Sequence, residues 1–164
     1  MQNDGPPPAI TPRTRARARH ILDHYYIGPT RNADVLEIWG YTPDHCYGPG
    51  DEVALHVSTT ADTWSLEIGR DGPTYECVMQ VDNIAGQHQD TPTDCSINGC
   101  GWQESMRFTV PDTWRPGGYL ITLRAKWGDD FVEEQHLILI RCAPAQKRPS
   151  YLLVCATGTW QAYK

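Results

Sequence analysis

Two histidines four positions apart, His20 and His24, with Asp23 between them, give the sequence its clearest metal-ligand spacing. On a helix such residues share one face, and two imidazoles so placed can hold one ion. A metalloprotease helix also needs a glutamate, a further ligand and a substrate cleft, and these are not legible here. The remaining histidines, His45, His56, His88 and His136, are scattered. His56 and His136 fall in strand-like stretches and read as outward or edge residues. His88 sits with Gln87, Gln89 and Asp90 in a polar segment that can either contact a ligand or stay solvated. Trp102 and Trp127 offer flat faces on which a sugar could stack, whereas Trp64 and Trp114 read as core or corner packing. There is no Gly-x-Ser-x-Gly elbow, phosphate-binding Gly-rich loop or dinucleotide fingerprint, so no catalytic residue is assigned.

Six cysteines, at 46, 77, 95, 100, 142 and 155, allow fifteen pairings. No secretory signal is visible, which favours reduced thiols in a cytoplasmic protein. Cys95 and Cys100 are too far apart for a CxxC motif, although a bridge between them is open if their segment is a loop. Cys77 alternates with apolar residues and is expected in the core.

The elements that must position these residues follow from patterning. The 164 residues carry 40% hydrophobic side chains and a net charge of −6. Such a balance disfavours nonspecific nucleic-acid binding, and no run approaches the roughly 20 apolar residues of a membrane span. Residues 1–33 read as a flexible, Gly/Pro/Arg-rich arm with a short helix. From about residue 34 the period becomes two. Seven stretches alternate, or nearly so: 35–39, 53–57, 64–68, 75–81, 106–110, 119–126 and 135–141. Turn signals separate them: Gly48-Pro49-Gly50-Asp51, Arg70-Asp71-Gly72-Pro73, Arg115-Pro116-Gly117-Gly118 and Trp127-Gly128-Asp129-Asp130. The pattern predicts an all-β, immunoglobulin-like antiparallel sandwich over 34–142, without the Cys…Trp…Cys signature of antibody domains. Residues 82–105 form a long polar insertion, and a loop of that length is uncommon without a task.

Residues 143–149 read as a linker. The closing run Tyr151-Leu152-Leu153-Val154-Cys155 before Thr157-Gly158 reads as a strand buried on both faces of a parallel sheet. Exposing Leu152, Leu153 and Val154 would forfeit about 1.5–3 kcal/mol each. The expectation is therefore that 143–164 holds a linker and the first strand of a truncated α/β domain.

Several segments together resemble the large (beta) subunit of N,N-dimethylformamidase and its relatives. They are Ile38-Trp39-Gly40-Tyr41-Thr42, Tyr47-Gly48-Pro49-Gly50-Asp51-Glu52-Val53, Leu66-Glu67-Ile68-Gly69-Arg70-Asp71-Gly72, Gly99-Cys100-Gly101-Trp102, Val110 through Tyr119, and Thr159-Trp160-Gln161-Ala162-Tyr163. The resemblance implies a β-sandwich preceding a glutamine-amidotransferase-like α/β domain. It implies an amidohydrolase that cleaves a small C–N bond, as in the hydrolysis of dimethylformamide to dimethylamine and formate. It further implies a non-haem iron held by two tyrosines and a glutamate, with Tyr163 matching one of those tyrosines. Lys164 departs from the Asn or small residue expected after the motif. On this reading the chain is an N-terminal fragment, inactive alone. Its partners are the rest of the catalytic domain and a small subunit or further copies of the chain. The rival reading is an immunoglobulin-like module that binds a carbohydrate or protein through Trp102 or Trp127.

Overall fold

The computed structural model describes residues 34–142. Their elements are β1 (Ile38–Tyr41), β2 (Cys46–Tyr47), β3 (Glu52–Thr59), β4 (Thr63–Arg70), β5 (Glu76–Ala85), a one-turn helix α1 (Cys95–Asn98), β6 (Met106–Thr109), β7 (Gly117–Trp127) and β8 (Asp130–Ile140). The strands form two sheets, β1-β3-β6 and β2-β8-β7-β4-β5. Pairing is antiparallel except where β2 runs parallel to the end of β8. The result is an all-β sandwich with immunoglobulin-like strand order.

Alternation decides which side chains face inward. Val53, Leu55 and Val57 of β3 pack against Trp64, Leu66 and Ile68 of β4 and against Tyr119, Ile121, Leu123 and Ala125 of β7. Each fully buried aliphatic side chain contributes about 1.5–3 kcal/mol relative to exposure. The register puts Leu66 opposite Leu123 and Ile68 opposite Ile121, so like-sized aliphatics meet across the β4–β7 pair. Trp64 is buried, with its Nε1–H donated to the Ala85 carbonyl at 3.1 Å.

The turns follow their residues. Asp51 N–H bonds to Gly48 O at 3.0 Å, and Gly50 has φ +83°. Pro at the second position and Gly with positive φ at the third make this a type II turn. At the entrance to β7 the Tyr119 hydroxyl donates to the Arg115 carbonyl at 2.7 Å. Trp114 stacks on the Tyr119 ring at 5.0 Å and 9°. This is the tyrosine corner of immunoglobulin-like sandwiches, built here without the inter-sheet disulfide. Trp64 and Trp114 are thus core and corner residues, as their positions predict.

Three sequence expectations need correction. Cys77 is exposed rather than in the core. The β4–β5 register slips twice, between Trp64 and Leu66 and between Ile68 and Gly69, and the second slip pairs Gly69 with Cys77 and Ile68 with Met79. The extra residue, Val78, reverses the alternation, so Met79 keeps the core side while Cys77 joins the outer face. At the first slip Asn83 takes φ 58°, a conformation asparagine tolerates better than most residues. His136 is inward and buried rather than outward. It shares the parity of Ile138 and Ile140, and Thr42 Oγ1 lies 2.7 Å from its Nε2. Because Thr42 donates its own hydrogen to Asp44 O, Nε2–H of His136 is the donor of that contact. Finally, the 82–105 insertion begins as strand, since β5 runs to Ala85.

Candidate functional site

The connection from Gly86 to Ser105 is the longest in the described residues, and its packing shows what its length accomplishes. Strand β6 covers β3 only over Glu52–Leu55. Beyond Leu55 the edge of β3 is completed by the loop instead. Ser105 N–H bonds to Leu55 O, and Thr59 N–H to Gln87 O. Ser105 Oγ both accepts from Val57 N–H and donates to Val57 O. Gln89 ties the two halves of the loop to β3 through Val57 O at 2.9 Å, Gln103 O at 3.1 Å and the Gln103 N–H. A bare strand edge is thereby satisfied without a strand.

Above this seam the loop lays Trp102 over the outer face of the three-stranded sheet. Trp102 is only 6% exposed and its Nε1–H is donated to Asp90 O. Its ring lies 5.6 Å from Tyr41, which in turn stacks on its cross-strand partner His56 at 4.9 Å and 7°. Nδ1 of His56 lies 2.7 Å from the Trp102 carbonyl. Burial, aided by the neighbouring Cys100, pushes the Tyr41 phenol above its ordinary pKa. Trp102 therefore fills a small satellite core and cannot present a stacking face. Trp127, at the β7–β8 turn, is the partly exposed member of the predicted pair. Gln87, His88 and Asp90 are exposed, whereas Gln89 is half-buried against β3. No bridge joins Cys95 to Cys100. Among the described residues there is no group of three or more His, Cys, Asp or Glu that could hold a metal. His20, His24, Cys155 and Tyr163 lie outside the described residues.

The outer face of the five-stranded sheet is different in kind. Arg124 of β7 bridges Glu67 of β4 at 2.9 Å and Glu133 of β8 at 2.8 Å. Tyr75, from the β4–β5 turn, lies over Gly69 and donates its hydroxyl to Glu67 at 2.5 Å. A Cβ at position 69 would overlap that ring, so glycine is what lets the phenol lie flat on the sheet. The Tyr75 bond first, and Arg124 second, hold the Glu67 carboxyl below its ordinary pKa. Burial and the Glu67 carboxylate push the Tyr75 phenol well above its own. Sequence reading missed this network because its members, Glu67, Arg124 and Glu133, are ordinary outward positions of three separate strands. The legible signal was opposite charge at outward parity together with a glycine near the end of β4.

At the end of the same sheet, beside the tyrosine corner, lies a shallow depression of about 390 Å³ lined by Arg70, Pro73, Thr74, Tyr75, Glu76 and Arg115. Arg115 pairs with Glu76 across it. The Arg70 guanidinium forms its inner wall and donates from Nη2 to Pro116 O at 3.2 Å.

Comparison with known proteins bears on the family more than on the site. No curated protein matches the chain. Several solved structures show distant likenesses. The sporulation control protein Spo0M from Bacillus subtilis has a TM-score of 0.44 at 14% identity, over 66% of this chain and 50% of that one. The sulfur carrier protein SoxY from Chlorobium limicola f thiosulfatophilum has a TM-score of 0.34 at 11% identity, over 63% and 78% of the two chains. The PKD domain of human VPS10 domain-containing receptor SorCS2 has a TM-score of 0.34 at 14% identity, over 68% and 76%. The present chain thus spans half the length of Spo0M, and none of these likenesses bears on function. A family model, in contrast, matches residues 68–164, more than half of the chain, from within β4 through the remaining strands and onward. It describes the C-terminal region of the family, which overturns the expectation of an N-terminal fragment. The chain belongs to the N,N-dimethylformamidase beta subunit-like family.

Proposed function

We propose that this chain contributes the β-sandwich of an amidohydrolase similar to N,N-dimethylformamidase, one that cleaves a small, non-peptide C–N bond. In this reading the sandwich holds and orients a catalytic region rather than performing the chemistry. The observation that carries it is the family match over residues 68–164. The outer face of the five-stranded sheet adds physical support. Glu67, Arg124, Glu133 and Tyr75 are mutually positioned across three strands and a turn. A face of fixed, paired charges suits a polar interface whose partner is selected by charge complementarity. The partners in this reading are a catalytic region, and a small subunit or second copy of the chain.

The iron of the resemblance belongs to the same proposal. Phenolate and carboxylate are hard anionic donors suited to ferric iron, and Tyr163 is the residue the resemblance assigns to it. Among residues 34–142 no group of three or more His, Cys, Asp or Glu is placed to hold a metal, and no chemical step is routed through them. The test is direct. The purified chain, incubated with ferric iron and dimethylformamide, should release no formate. Adding the separately expressed catalytic region should restore turnover and give a stable complex. Formate release by the chain alone, or failure to form the complex, overturns the proposal.

A further inference from the structure

The outer face of the five-stranded sheet changes character along its strands. Where Arg124 pairs with Glu67 and Glu133 it is charged. Toward the end where β8 stops it is apolar. In β7 and β8, Tyr119, Ile121, Ile138 and Ile140 point into the core, so Leu120, Leu137 and Leu139 point outward. The register sets Leu137 opposite Leu120, and Leu120 opposite Gly69, over which the Tyr75 ring lies. Leu139 stands opposite Gly118, and a Cβ at Gly118 would be 3.4 Å from Leu137 Cδ1. Glycines beneath Leu137 and Tyr75 thus keep a low, continuous apolar surface across β8, β7 and β4. The three leucines are half-buried, Tyr75 is 45% exposed, and no further layer of the described residues covers them. An apolar centre beside fixed charges has the anatomy of an interface.

We propose that this apolar half-face is the docking surface for the chain's own segment 143–164, with the run Tyr151-Leu152-Leu153-Val154 seated on Leu120, Leu137 and Leu139. Reach, charge and apolar match select that occupant, which lies outside the described residues. Strand β8 ends at Ile140, so the chain continues past Cys142 from beside Leu139. Residues 143–150 span up to about 26–29 Å when extended, whereas the patch from β8 to β4 is only two strand spacings, roughly 10 Å, wide. Such a tether holds the segment at high effective concentration over the patch. The N-terminal segment joins at the far end of the sheet, where the carbonyls of Val35 and Glu37 bond to Thr60 in the β3–β4 turn. Residues 34–142 carry eighteen Asp and Glu against six Lys and Arg, so two copies of the sandwich repel each other. Residues 143–164 carry three Lys and Arg and no acid. Their apolar run gains by leaving water, and docking covers one face of it. The docking does not depend on the hydrolase reading.

The test is methyl NMR of the full chain. Overhauser contacts are expected between the methyls of Leu120 or Leu137 and those of Leu152, Leu153 or Val154. Their relative intensity should not change when labelled protein is diluted with unlabelled protein. Leu137→Lys places a cation on the patch and should speed chymotryptic cleavage at Tyr151–Leu153 about tenfold. Because Leu137 also belongs to β8, a second variant comes from the docked segment. Leu152→Lys leaves the sandwich unaltered and should remove the contacts of Leu153 and Val154 to Leu120 and Leu137 while the melting transition of the sandwich persists. Contacts that fade on dilution would put a second copy on the patch, and contacts to Ile21, Leu22 or Ile27 would put the N-terminal segment there. Either result overturns the proposal, as does a patch without contacts, or cleavage in Leu137→Lys no faster than in the unaltered chain.

Discussion

The two sheets treat their outer faces in opposite ways. The three-stranded sheet is roofed by the 86–105 loop, with Trp102 over Tyr41 and His56 and neutral hydrogen bonds along the β3 edge. Among the described residues no loop roofs the five-stranded sheet, whose outer face carries paired charges around Arg124. The roof is a matter of burial and backbone satisfaction, terms that dominate stability. The charge network lies partly in solvent, where ion pairs contribute little to stability but set partner choice. The comparison teaches that the long loop stabilises the fold, whereas the charge network of the opposite face contributes little to stability.

The largest effect should come from the roof. Trp102→Ala is expected to cost about 3–5 kcal/mol in urea denaturation, as large aromatic truncations in cores do. Trp127→Ala, at the exposed turn, should stay below about 1 kcal/mol. Equal losses at the two positions would erase the distinction between packed and exposed tryptophan. Next, Gln89→Ala leaves the Gln103 N–H and carbonyl without their side-chain partner, while Val57 O keeps Ser105 Oγ, and should cost about 1–3 kcal/mol, with faster amide exchange at Gln103.

On the open face the expected losses are smaller and the useful readouts are titrations. Gly69→Ala displaces the Tyr75 ring, whose far end can swing away, so stability should fall by only about 1 kcal/mol. The Tyr75 phenol, followed by its ultraviolet absorbance, should then ionise nearer the ordinary tyrosine range. An unchanged titration would show that the ring does not depend on the glycine. The smallest effect belongs to Glu67→Gln, under about 1 kcal/mol at neutral pH. Because folding depresses the Glu67 pKa, its contribution is complete above the ordinary glutamate range and is lost as pH falls through the lower, folded value. The variant should flatten the acid limb of the stability profile. Tyr75 works in the opposite direction: its raised pKa gives stability that is present below the ordinary tyrosine value and lost as pH rises beyond it.

Much of the sandwich was legible because period-two alternation encodes burial directly. Val53, Leu55 and Val57, or Trp64, Leu66 and Ile68, could hardly face anywhere else. The Gly48–Asp51 turn and the corner tryptophan were equally readable from local chemistry. What escaped was set by contacts distant in sequence. One extra residue at Val78 put Cys77 outside. The fate of Trp102 depended on Asp90 and on the bare edge of β3, neither of which is marked locally. Arg70 was readable in principle, as an arginine at the inward parity of Trp64, Leu66 and Ile68. His136 was another polar residue at inward parity, and a Thr42 hydroxyl ninety-four positions away accommodates it.

Native-state hydrogen exchange on the whole chain tests the central contrast most directly. The amides of Val57, Thr59, Gln89 and Ser105 are donated across the seam between loop and β3. They should exchange together, near the rate of global unfolding, if the loop is an integral roof. Exchange at these four amides as fast as in the exposed β4–β5 turn, with the core strands still protected, would show that the loop opens freely and would contradict the account.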